Sequence, residues 1–217
     1  MRLLRLVIAA MLYACCAAAV AQTSHTREHA FSDAERWAKI FDDPGRDAWQ
    51  KPREVIAALA LAPDAAVADI GSGTGYFAVR LARAAPKGVV YGVDTEPSMV
   101  KYLEQRARHE GLANLVSIAG RPGGANLPGK VDLVLLVDVY HHIADRTGYF
   151  DKLRASLNPG ARLAIIDFRL DSPSGPPKGE RITAAQVKAE LAKAGYAFAK
   201  EHEFLPNQYF LVFEARP

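Results

Sequence analysis

The stretch Val67–Tyr76, VADIGSGTGY, decides how the rest of this chain is read. A short apolar run closes on three glycines at alternate positions, Gly71, Gly73 and Gly75, with Asp69 just upstream. The residues that follow, FAVRLA, suit a helix. A strand feeding a helix through such a turn collects free backbone N–H groups and the positive end of the helix at one spot. Glycine lets a ligand approach the main chain there. Taken alone, the same pattern also serves as a tight strand-to-helix connection with no ligand. Its spacing is G-x-G-x-G, not the G-x-G-x-x-G of dinucleotide sites, and a carboxylate at position 69 repels a pyrophosphate but attracts a cation.

Working outward, strands and amphipathic helices alternate. Helices are predicted at 52–61, 75–85, 97–110, 146–156 and 183–194, the last capped by Thr183. Strands are predicted at 66–70, 89–93, 115–119, 131–137, 161–167, 196–204 and 208–215. The run VDLVLLVDV is almost continuously apolar, as a parallel strand covered on both faces should be. This alternation predicts a doubly wound α/β sheet. Only LPN joins the last two strands, too few residues for a parallel crossover, so they should pair antiparallel.

A second acid, Asp94 in VVYGVDTEP, ends the strand after the glycine turn, with Thr95 beside it. A carboxylate there accepts from both hydroxyls of a ribose. Together the two acids and the turn imply a nucleoside that has no phosphate and carries a positive charge, which S-adenosylmethionine satisfies. A nicotinamide oxidoreductase is disfavoured by the glycine spacing.

The segments VADIGSGTGYFAVRLA, VYGVDTEPSMV, VDLVLLVDVYHHI and LNPGARLAIIDF resemble motif I, the segment after it, and the fourth- and fifth-strand motifs of class I S-adenosylmethionine-dependent methyltransferases. The resemblance runs from about residue 52 to 215. It implies a Rossmann-like, seven-stranded and mostly parallel sheet whose last strand is inserted antiparallel. It also implies that Asp69 and the glycines hold the methionine part of S-adenosylmethionine, and Asp94 with Thr95 its ribose side. Asp138 would face the cofactor's amino group or the acceptor. The family often places an acid after the third strand to bind adenine. Here Arg121 stands in that region, either to stack on the base or to leave it to backbone contacts.

Methyl transfer requires alignment of the acceptor and, for some nucleophiles, removal of a proton. DVYHHI, at the end of the fourth strand, supplies Asp138, Tyr140, His141 and His142. His142 is expected to be the base or acceptor-orienting group, with Asp138 beside it; helix capping or packing is the alternative use of a histidine there. No metal is expected, because adjacent histidines need not converge on one ion. In 22–51, Ser32 is expected to cap a helix starting near Asp33. Phe31, Trp37, Ile40 and Phe41 are expected on its apolar side, and DDPGRD reads as a turn. Trp37, Phe41 and Trp49 either shape an acceptor pocket or only cover the sheet. The loop 171–180, rich in proline and glycine, is placed for acceptor recognition.

The N-terminal MRLLRLVIAAMLYACCAAAVA reads as a signal peptide: basic Arg2 and Arg5, an apolar stretch, and a small-x-small cleavage site at Ala19–Ala21. The predicted organisation is 1–21 signal peptide, 22–51 aromatic cap segment and 52–217 methyltransferase domain. Cleavage after Ala21 takes the net charge from +3 to +1, and no basic run points to nucleic acid. It also removes Cys15 and Cys16, the two cysteines of the chain, which excludes disulfides, zinc-thiolate sites and a cysteine nucleophile from the mature protein. Lipid anchoring at Cys15 is a lesser alternative, since Tyr13 is bulky for that processing site. The expected protein is therefore exported to the periplasm, is not inserted in the membrane, and methylates a small-molecule acceptor. Because charges on the cofactor oppose membrane crossing, export implies cofactor import, a misassigned start with a cytoplasmic protein, or another use of the domain. A nucleoside-binding module without transferase activity is the alternative function.

Overall fold

The computed structural model of the protein describes residues 33–216. The expected signal peptide, Cys15 and Cys16, Phe31 and Ser32 lie outside the described residues. The chain runs α1 (Ala34–Phe41), α2 (Arg46–Gln50), α3 (Pro52–Leu59), β1 (Ala66–Ile70), α4 (Ala78–Ala84), β2 (Val89–Asp94) and α5 (Pro97–His109). It continues with β3 (Leu115–Ala119), β4 (Val131–Val137), α6 (Arg146–Leu153), β5 (Leu157–Phe168), α7 (Ala184–Lys193), β6 (Tyr196–His202) and β7 (Gln208–Ala215). All seven strands form one sheet in the order β3-β2-β1-β4-β5-β7-β6. Only β7 runs against its neighbours, wedged between β5 and β6 with Ala164 opposite Val212 and Phe198 opposite Phe213.

Alternation along β4 shows why both faces are apolar. Leu133 and Leu135 pack with Val55, Leu59, Leu81 and Leu103 from α3, α4 and α5. Val134 and Leu136 point the other way, among Phe150, Leu153, Val187 and Leu191 of α6 and α7. Successive side chains of a strand leave on opposite faces, so a central strand in a doubly covered sheet has almost no polar position.

Several local expectations are corrected. Asp33 caps α1, accepting from Arg36 N at 3.0 Å, where Ser32 was expected. The DDPGRD turn is shorter than predicted, because Arg46 already begins α2. Lys51 then adopts φ 44° and separates α2 from α3, which starts on Pro52. On the apolar side of α1, Ile40 is left 55% exposed. Helix α4 starts at Ala78, not 75, since Gly75 sits at φ 95° and keeps the turn open for three more residues.

Candidate active site

The carboxyl ends of β1, β2, β4 and β5 converge on a cavity of about 660 Å³, closed from above by α1, α2 and the loop before α7. This is where doubly wound sheets bind ligands. On its floor, Gly71 N and Ser72 N donate to Val93 O at 2.8 and 3.0 Å, locking the turn to β2. Gly71, Gly73 and Gly75 take φ of 72°, 52° and 95°. Their uses differ. A Cβ at Gly71 would lie 2.2 Å from Val139, and one at Gly75 2.4 Å from Leu103, so packing forbids side chains at both. Gly71 and Gly73 line the cavity and Gly75 does not. Gly73 faces Phe41 of α1, 3.4 Å from where its Cβ would be.

Asp94 ties the second strand to this turn. One oxygen accepts from Gly73 N and the other from Glu96 N, each at 2.9 Å. Thr95 and Met99 continue the wall. Asp69 is 3% exposed. Burial pushes its carboxyl up to about 7, against the opposing pull of the Arg46 guanidinium and a hydrogen bond from Ala78 N–H. Ser72 Oγ and Thr74 Oγ1, on the lining, are buried and make no hydrogen bond within the protein. Arg121 lies outside this wall, exposed and bridged to Gly124.

At the β4 end, Asp138 adopts φ 60°. It accepts a hydrogen bond from Gln208 Nε2, and its other oxygen lies 3.8 Å from Arg46 Nη2. Burial and the neighbouring Asp167 raise its pKa, partly offset by Arg46. Gln50 completes the ring: it donates to Gln208 Oε1 at 2.6 Å and accepts from Arg46 at 3.2 and 3.3 Å. The tight turn after Asp138 carries both histidines. His141 is buried, and its Nδ1 lies 2.8 and 3.0 Å from the oxygens of Asp167. Burial alone would lower its pKa, but the Asp167 bond and the charges of Asp167 and Asp138 outweigh this and raise it. His142 is exposed, its ring tilted against that of His141 with centres 4.1 Å apart, and it also lines the cavity.

The cap is built from aromatic and charged residues. Trp37 stacks on Phe41 at 5.3 Å, and Trp49 meets Phe168 at 5.8 Å. The Tyr76 ring has the guanidinium of Arg46 4.1 Å from its centre and that of Arg80 4.0 Å away, while its hydroxyl donates to Asp47. Loop 171–180 contributes Gly175, Pro176, Pro177 and Glu180 to the wall. Arg181 pins that loop, donating to the carbonyls of Arg169, Leu170, Ser172, Ser174 and Pro176.

Thus Asp69, Gly71, Gly73, Asp94, Thr95, Asp138 and His142 are brought to one cavity, as are Trp37, Phe41 and Trp49, while Gly75 supports the turn from behind. The sequence motifs do not point to Arg46, Gln50, Asp167 or Gln208; beside His142, the expected base, it is His141 that holds a buried carboxylate partner. Asp167 sits at the carboxyl end of β5 much as Asp138 follows β4, and that parallel is a usable signal. Nothing local marks Gln50 or Gln208.

A family model described as a methyltransferase domain matches residues 61–204. The chain is 29% identical to the trans-aconitate 2-methyltransferase of Rhodopseudomonas palustris strain BisB18, over 75% of this chain and 64% of that protein. It is 30% identical to the demethylmenaquinone methyltransferase of Thermus thermophilus, over 62% of this chain and 59% of that protein. The chain thus spans about three fifths of the length of these relatives. A solved SAM-dependent methyltransferase from Aquifex aeolicus superposes with a TM-score of 0.78 at 26% identity, covering 84% of this chain and 98% of the other. The magnesium protoporphyrin IX methyltransferase of Synechocystis with bound SAH shares the fold, with a TM-score of 0.65 at 20% identity over 83% of this chain and 93% of that one.

Proposed function

The chain belongs to the methyltransferase-domain family, and from that premise we propose that it transfers the methyl group of S-adenosylmethionine to a small-molecule acceptor. One observation carries this reading: Asp69, Asp94 and residues 71–74 of the glycine turn face a single cavity of about 660 Å³. That size suits a nucleoside and a small acceptor side by side.

The residues fit the cofactor. Buried Asp69, whose pKa stays raised despite the charge of Arg46, gains from a cationic partner. Ser72 Oγ and Thr74 Oγ1 offer unused polar atoms beside it. Asp94, Thr95 and Met99 line the cavity next to the turn, which supports a ribose held by Asp94 with Met99 as apolar surface beside it. When bound, the cofactor supplies a methyl group activated by its sulfonium. The protein's own tasks are to align the acceptor under the aromatic cap, exclude water and accept a proton where needed. Asp138 and His142 line the same cavity, which supports a role for them toward the acceptor.

We also infer export. Support comes from the basic start, apolar stretch and Ala19–Ala21 site of the sequence; among the described residues no helix is long and apolar enough to cross a membrane. The N-terminal mass of protein from periplasmic and cytosolic fractions tests this, and an intact Met1 in the cytosol would overturn it.

Calorimetric titration with S-adenosylmethionine and S-adenosylhomocysteine tests the main reading, followed by transfer of labelled methyl to an acceptor panel. Both compounds should bind. Binding of neither overturns the proposal, and tight binding with no transfer to any acceptor favours a nucleoside-binding module.

A further inference from the structure

The acceptor half of the cavity has a definite chemistry. Its walls are flat and apolar: the Trp49–Phe168 pair, the Trp37–Phe41 stack, and Pro176 and Pro177. Its fixed charges are mostly negative. The whole cavity is lined by Asp69, Asp94, Asp138 and Glu180 against Arg46, the single lysine or arginine among its described lining residues; with Asp69 and Asp94 given to the cofactor, Asp138 and Glu180 remain for the acceptor. Arg46 is already committed: its N–H groups go to Phe41 O at 3.0 Å and Gln50, and it faces Asp138. An anionic acceptor would meet these acids and find the Arg46 guanidinium already engaged, which costs more in a half-enclosed cavity than at an open surface.

Beside these walls sits a histidine held as a proton acceptor must be. The Asp167 carboxylate is fixed by Phe168 N at 2.8 Å and by the two close contacts to His141 Nδ1. A carboxylate only accepts, so Nδ1 carries the proton shared with Asp167, and in the neutral ring Nε2 then keeps its lone pair. The His141 side chain is 4% exposed, and His141 lines the cavity. Nε2 is the ring nitrogen that Asp167 does not use. We propose that the acceptor is an uncharged aromatic hydroxyl seated under the cap, and that His141, positioned by Asp167, removes its proton through Nε2.

This inference rests on the methyltransferase reading and deepens it. In the step, the hydroxyl proton passes to Nε2 and the oxygen forms a bond to the methyl carbon. The pair of the breaking carbon–sulfur bond stays on sulfur, and His141 returns its proton to water. Three carboxylates face the imidazole from separate elements, Asp167 from β5, Asp138 from the β4 end and Glu180 from the loop before α7, and all favour its protonated form over the opposing effect of burial. The product imidazolium is thereby stabilised, and base competence is confined to pH above the raised pKa of His141.

The test uses the full chain saturated with S-adenosylhomocysteine and 4-nitrophenol as probe, whose phenolate is read by its visible absorbance. Wild-type protein should bind the probe and lower its apparent pKa by about one unit, a tenfold shift in ionisation. His141→Asn keeps a donor near the Nδ1 position for Asp167 but deletes Nε2. It should abolish the shift while S-adenosylhomocysteine affinity and melting temperature stay close to wild type. Asp167→Asn should shrink the shift and move its pH dependence, readouts a merely structural residue would leave alone. An unchanged shift in His141→Asn overturns the proposal. So does S-adenosylhomocysteine binding without 4-nitrophenol binding, or displacement of the probe by a polycarboxylate such as trans-aconitate. Failure to bind S-adenosylhomocysteine at all overturns the methyltransferase reading beneath it.

Discussion

Gln50 donates to Gln208 across 158 positions of sequence, at 2.6 Å, with neither side chain exposed to solvent. This bond fastens the cap helix α2 to the start of β7. Its continuation, from Gln208 to Asp138 and from Gln50 to Arg46, makes the site's acid part of the same buried ring.

Replacing either glutamine with alanine should therefore destabilise the protein by about 1–3 kcal/mol, because the partner is left buried and unpaired. The double variant should lose clearly less than the sum of the two, since both single changes break one shared contact. Urea unfolding of the three variants measures this. Strict additivity would mean that the ring is not coupled.

Asp94→Ala should weaken S-adenosylmethionine binding by roughly 1–3 kcal/mol, the loss expected when ribose hydroxyls lose a buried acceptor. The same change frees Gly73 N and Glu96 N, so the turn loosens as well. Calorimetry reads the affinity; wild-type affinity in the variant would place the ribose elsewhere.

Asp69 ties cofactor affinity to pH. Its folded pKa is raised to about 7, foremost by burial, so without ligand it is largely protonated in mild acid. A cationic ligand requires the carboxylate. Affinity should thus be highest above pH 7 and fall as pH drops toward 5, with binding below 7 releasing protons. Titrations in buffers of different ionisation enthalpy detect those protons. In Asp69→Asn the dependence should vanish along with most of the binding.

Glu190 acts in the opposite sense. Burial opposes its ionisation, but hydrogen bonds from Arg146, Gln186 and Tyr140 prevail and pull its pKa to about 2. A carboxylate with a depressed folded pKa contributes stability that is complete above its unfolded value and fades as pH falls through the folded one. The difference in melting temperature between wild type and Glu190→Gln should be full at pH 7 and shrink from about pH 4.5 toward pH 2. A constant difference would exclude this linkage.

Gly75→Ala should cost stability, because φ is 95° there and the new Cβ would lie 2.4 Å from Leu103 Cδ1. Gly123→Ala, with nothing within 4 Å, should be nearly neutral. Thermal melting of the pair separates packing demand from simple loss of glycine.

The alternation of strands and helices and the glycine turn between the acids at 69 and 94 are legible in the amino-acid order. These features are local: a strand buried on both faces must be apolar throughout, as β4 is, and a backbone at positive φ favours glycine. The same order also exposes, through the short LPN link, that β6 and β7 are antiparallel. Which of two adjacent histidines meets a carboxylate was decided only by the tertiary structure. Asp138 at φ 60° sets the direction of the tight turn after β4, and β5 brings Asp167 to His141 from 26 positions away. The pairing of Gln50 with Gln208, and the place of Arg46 between Asp69 and Asp138, likewise depend on how α2 docks. Polar groups hidden from water must find partners wherever the chain brings them, and no spacing within the sequence records that meeting.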